Sequence, residues 1–291
     1  MAFGFGRQPQ GDGHSQYQQP QYQQQYAPQQ PYGGQPQYAQ TAGYNQSYAN
    51  GYSQPVMDAN AVYTSEHYAK ATRVSTAKAY AEMTIGLLVT AVAAVFSYTS
   101  GLLMTYVSAT GSIGWIILSL VQVGIAFFLG MRVTSMNPGT ARVIFYAYAA
   151  LMGFTLSSIF GVYSLGTIVL TLAMTAGFFL CLTMFALTTK INMLKAGPIL
   201  MVALLVLIVV EVILAFFVHS STFTMIVSAI ALVIFAGLTM HDAQFTREMF
   251  HSYSNDEVMI KRISILCALN LYLDFINFFV NLLTIFGSSD N

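Results

Sequence analysis

Seven apolar runs, over residues 81–98, 113–131, 143–162, 168–187, 199–218, 223–241 and 263–286, limit what this chain can fold into more than any other feature. Each exceeds the roughly 17 residues a helix needs to cross a bilayer. The chain's eleven Lys and Arg test the count, at 7, 70, 73, 78, 132, 142, 190, 195, 247, 261 and 262. With seven spans, every one falls before the first span or in the second, fourth or sixth loop. That is the positive-inside pattern. It predicts an all-α membrane protein with a cytoplasmic N-terminus and the terminal "GSSDN" outside. The "YSLGT" and "HSST" turns are short, so the spans they join form antiparallel hairpins.

Composition agrees. Only 8% of residues are charged, against about 25% in soluble domains. A net charge of zero gives no electrostatic basis for a nucleic-acid partner. "MAFGFGRQPQGDG" has no apolar h-region, so no signal peptide is expected. Residues 1–57 are rich in Gln, Tyr, Pro and Gly, with almost no aliphatic side chains. Such a segment cannot bury enough apolar surface to offset its ordering entropy, and it is expected to be a disordered cytoplasmic tail. Its regular tyrosines fit weak self-association as well as a solvated tail. Residues 58–80 lack Pro and Gly, and a juxtamembrane helix is expected there, leading into a transmembrane domain over 81–287. Cys181 and Cys267 lie in apolar runs without metal-ligand spacing and read as small core residues.

Catalytic signatures are missing from the sequence. It has no H-E-x-x-H, no G-x-S-x-G and no P-loop. The seventh span has no Lys for a retinal Schiff base. The expectation is a protein that is not an enzyme and holds no permanent cofactor.

What remains to explain is a set of acids in or beside the spans: Glu82, Glu211, Asp242 and Asp274. An ionisable group inside a membrane is a functional hypothesis by default. In "LNLYLDFINFFVN", Asn270, Asp274, Asn277 and Asn281 fall within a sector of about 60° at 100° per residue. That narrow polar stripe must face protein or water rather than lipid, which predicts that the seventh helix is central to the bundle. Thr239, Asp242 and Thr246 share a face of the sixth helix. The sixth and seventh helices are consecutive and antiparallel, so these faces can meet. Asp242 lies closer to the cytoplasmic surface than Asp274, and the mismatch shrinks if the sixth helix continues to about Phe250. Two carboxylates in contact do not both ionise readily, so a proton held between them would be a latch that pH opens. The alternative is two independent acids, each bonded to Asn or Thr. Arg132 ends the second span on the side of Asp242, either as a contact to it or as an ordinary basic flank. Glu211 has no acid or base near it in its own helix, and Glu82 sits at the mouth of the first span.

"GLTMHDAQFTREMF", then "ALNLYLDFINFFVNLLTIFG", resembles the signature of the Bax inhibitor-1 family, and "MNPGTARVIFYAYAALMGFTLSSIFGVY" resembles its third-helix region. The resemblance is to a bacterial-type member and covers residues 79–287. It implies a pH-sensitive hydrogen bond between Asp242 and Asp274, with Arg132 of "LGMR" placed to contact the former. It implies a pH-gated calcium leak in a plasma (inner) membrane, with Ca²⁺ as permeant ion along Asp242 and Asp274. Hard oxygen ligands suit that ion. It also implies an alternative, a non-conducting regulator of a membrane-anchored AAA protease. "HDAQ" has His241 where several members have Tyr, which puts a second titratable group beside the latch.

Overall fold

The structure is a computed structural model that describes residues 59–217, 220–254 and 256–287. The tail over 1–57 and the terminal residues 288–291 lie outside the described residues. The chain divides into two units, Met1–Gln54 and Pro55–Asn291, and all the described residues belong to the second.

Among the described residues the fold is entirely helical. The helices are α1 (Ala59–Thr99), α2 (Leu102–Arg132), α3 (Pro138–Leu156), a single turn α4 (Ile159–Val162), α5 (Leu165–Thr188), α6 (Gly197–Phe217), α7 (Ser221–Ser252) and α8 (Glu257–Gly287). A 3₁₀ turn, Met193–Ala196, precedes α6. Seven spans are long and apolar enough to cross a membrane, α3 and α4 together making the third. The helices outrun the apolar runs because their polar end-turns still satisfy backbone groups internally. The expected juxtamembrane helix is the first part of α1, continuous with the first span.

Local chemistry sets the boundaries. Gly101 (φ 70°) turns the chain between α1 and α2. Gly111 (φ 60°, ψ −150°) breaks α2 just before the apolar run begins; only glycine adopts that conformation without strain. Asn137 caps α3 by accepting from the Gly139 amide at 2.8 Å, and Pro138 occupies the first turn, where no donor is needed. Ser164 caps α5 by accepting from the Thr167 amide at 3.1 Å.

α8 is covered on most sides. It packs on α1, α3, α5 and α7, with a lesser contact to α2. In its most apolar stretch 72% of residues are buried, against 11% in the α6 span. Among the described residues α6 packs mainly on α7 and the 3₁₀ turn. The main core joins α1, α3 and α8. The Thr90 hydroxyl of α1 bonds the Ala149 carbonyl of α3 at 2.9 Å and the Tyr272 hydroxyl of α8 at 2.7 Å. Tyr272 meets Phe145 edge to face, with ring centroids 5.6 Å apart. At Gly153 a Cβ would lie 2.3 Å from the Thr90 carbonyl oxygen, so α1 and α3 are in backbone contact there. Small residues permit that approach where helices associate in lipid.

The cysteines behave differently. Cys267 is buried, as expected, but Cys181 is exposed on α5, so the expectation of a core residue is corrected there. Its position in an apolar run is equally compatible with the outward face of a membrane helix.

Candidate functional site: a buried acid pair and its hydroxyl neighbours

Asp242 on α7 and Asp274 on α8 are both buried, 6% and 5% exposed. α7 continues to Ser252, ten residues beyond Asp242 or roughly 15 Å at 1.5 Å per residue. Asp274 lies twelve residues beyond Arg262 on the antiparallel α8, or roughly 18 Å. Counted from the facing ends of the two helices, Asp242 is ten residues in and Asp274 seventeen, a difference of roughly 10 Å along the axis. The two carboxylates lie within electrostatic range of each other.

Their partners differ. The Oδ1 of Asp242 meets His241 Nδ1 at 2.6 Å. The His241 ring stacks on Phe245, with planes 10° apart. Its outer edge faces Gly197, where a Cβ would come within 2.7 Å of Nε2. The Oδ2 of Asp274 is buried and has no hydrogen-bond partner. An unpartnered buried carboxylate oxygen is costly.

Buried hydroxyls lie along the same two helices. Thr239, Thr246 and Ser264 are buried. Thr239 donates to the Phe235 carbonyl at 2.8 Å, Thr246 faces the Cys267 thiol, and the oxygen of Ser264 has no partner among the described residues. Tyr80 of α1 lies in electrostatic range of both acids and of Cys267, and it faces Thr183 of α5. The stripe on α8 is turned inward: Asn277 is half-buried and Asn281 buried, their amides donating to the Leu273 and Asn277 carbonyls at 2.8 and 2.9 Å. Asn270 is half-buried on the same face.

Arg132 stands apart. It is exposed, and among the described residues no ion pair links it to Asp242. Glu82 is more engaged than its place at a span mouth suggested. It accepts from Arg142 Nε at 2.7 Å and from the Tyr146 hydroxyl, tying α1 to α3. Glu211 is exposed on α6.

Three features had no clear signal in the sequence. Gln244 accepts from the Met193 amide at 2.8 Å and donates to the Ala186 and Ile191 carbonyls at 2.9 Å, clamping the α5–α6 connection to α7. The D-x-Q spacing marks this residue without indicating its partners. The Tyr272–Thr90 bond spans 182 residues, and Tyr80 joins the acids from the opposite end of the domain. Long-range pairs of this kind leave no periodicity to detect.

No group of three or more His, Cys, Asp or Glu among the described residues is placed to hold a metal ion. The donors available to a cation are two carboxylates with amide and hydroxyl oxygens, a hard but sparse set. Chemically, the arrangement can exchange a proton at the acids and offer oxygens along α8.

Comparison with known proteins places this geometry in context. The family model described as "Inhibitor of apoptosis-promoting Bax1" matches residues 72–291. The chain is 35% identical over 217 residues to a protein of Borreliella burgdorferi, covering 74% of this chain and 92% of that one. It is 35% identical over 213 residues to the inner membrane protein YbhL of Escherichia coli strain K12, covering 73% and 90%. A protein of Deinococcus radiodurans is 35% identical over 219 residues, covering 75% and 92%.

Proposed function

The chain belongs to the Bax inhibitor-1 family of multi-pass membrane proteins, and from that premise we propose that it is a pH-sensitive calcium leak of the inner membrane, gated by protonation of Asp242 and Asp274. The observation that carries the proposal is the inequality of the two acids. Asp242 is held by His241, while Asp274 keeps a buried oxygen with no partner beside it. Two neighbouring buried carboxylates share a proton more readily than they bear two charges. Losing that proton places like charges side by side, and their repulsion would part α7 from α8. The Asn stripe then supplies neutral oxygens to the ion. In this reading α8 is the central helix, which its burial supports. The basic end of the bundle is cytoplasmic, which the placement of Lys and Arg supports. We assign the protein no enzymatic activity.

The test is calcium flux through the purified protein in liposomes across a pH series. Wild type is expected to show a pH-dependent flux, and Asp274→Asn a flat profile. An Asp274→Asn protein with the wild-type profile would refute the latch.

A second reading is favoured by α6, which leaves most of its face uncovered and exposes Glu211 among aliphatic side chains. That face would suit another membrane protein, such as a membrane-anchored AAA protease, and the chain would then regulate without conducting. Absence of flux from the purified protein, with a protease co-purifying, favours this reading.

A further inference from the structure

The described helices leave a cleft of about 1020 Å³ between α1 and α5, with α7 behind it. α1 and α5 both pack on α7 but scarcely touch each other, which opens the gap. Ala77, Leu180, Met184 and Leu187 supply apolar walls, and Arg247, Glu248 and His251 stand at its rim, near the basic end of α7. Tyr80 and Thr183 also line it, with both hydroxyls buried and turned toward each other. Thr183 is only 6% exposed, and its hydroxyl faces that of Tyr80 across the back of the cleft.

We propose that this cleft binds one glycerophospholipid with an ammonium headgroup, taken from the leaflet at the basic end. The walls fit an acyl chain, and a cleft on the side of a membrane bundle is open to lipid. A hydrated ion or a free phosphate would gain nothing from these walls. The Arg247 guanidinium donates one bond, from Nη1 to the Leu187 carbonyl at 3.1 Å, which holds it at the rim. Its remaining N–H groups are available, and a guanidinium fork matches a phosphate. His251 lies one helical turn on, toward the same face. Glu248 would repel a purely anionic headgroup and attract an ammonium. The facing hydroxyls of Tyr80 and Thr183 leave one O–H to donate to an ester oxygen. Through Tyr80, which lies in electrostatic range of Asp242 and Asp274, the lipid would occupy the approach to the acid pair.

Native mass spectrometry of the full chain, released from detergent after exposure to phosphatidylethanolamine or phosphatidylglycerol, tests this. Wild type is expected to retain one phosphatidylethanolamine. Arg247→Gln should lower retention at least fivefold, and Ala77→Phe, which narrows the mouth from α1, should do the same. Lys190→Gln, an exposed basic residue outside the cleft, should retain it fully. Thermal unfolding checks that each variant is folded, and either cleft variant suffices if the other is not. The proposal is overturned by equal retention in wild type and the cleft variants, by equal loss in Lys190→Gln, or by no retained lipid in wild type. Displacement by inorganic phosphate, or retention of phosphatidylglycerol at least as strong, also overturns it.

Discussion

Thr90 shows how much one side chain can do in a membrane bundle. Its hydroxyl bonds its own helix at Gly86, α3 at Ala149 and α8 at Tyr272. Tyr272→Phe removes one of those bonds while keeping the ring packing. It should cost about 0.5–1.5 kcal/mol, read as a lowered unfolding temperature in detergent. Gly153→Leu should be worse. Its Cβ meets backbone rather than a flexible side chain, and overpacking typically costs about 1–3 kcal/mol, occasionally more. Gly153→Ala is expected to fall between wild type and Gly153→Leu in the same measurement. Asp274 differs in kind from these residues, because its buried oxygen is a cost the fold bears without return in packing.

At the scale of elements, the α5–α6 connection depends on a side chain outside it. Gln244 makes three hydrogen bonds to residues 186–193, and Arg247 adds one to the Leu187 carbonyl. Gln244→Ala leaves those backbone groups unpaired. It should increase hydrogen exchange and proteolytic cutting across 188–196, with about 1–3 kcal/mol of stability lost. The sequence made the helices themselves easy to find, since apolar length and the Lys/Arg pattern count spans directly. The inward stripe of α8 was also legible, because Asn270, Asp274, Asn277 and Asn281 repeat at helical spacing. Glu82 was legible only as a position. Its partners Arg142 and Tyr146 lie 60 and 64 residues away, and a single sequence does not record which helices face each other. The same reason hides Tyr80 and Thr183. Arg132 was placed by resemblance, and the geometry leaves it apart from Asp242.

For the whole molecule, the distribution of basic residues makes a sidedness prediction. Single cysteines introduced at Lys190 or Arg262 in a background lacking Cys181 and Cys267 should react with an impermeant thiol reagent only from the cytoplasmic side. One introduced at Ser164, in the turn before α5, should react only from the opposite side. Labelling of all three from one face would overturn the seven-span topology. The two halves of the bundle also differ in cohesion. α1, α3 and α8 are bound by a shared core, whereas α6 hangs on α7 and the Gln244 clamp.

The burial of α8 has a consequence for biogenesis. Chain order is the order of synthesis, so α8 leaves the ribosome after the other seven helices. α6 emerges before α7, its main partner, and apart from Glu211 its aliphatic surface suits it to wait in lipid. α8 has no such latitude, because its aspartate and asparagines would face hydrocarbon. Its final position adjoins α1, α3, α5 and α7, all made earlier. The helix least suited to lipid therefore enters the membrane when its protein surroundings already exist, and α8 never has to shelter Asp274 unaided.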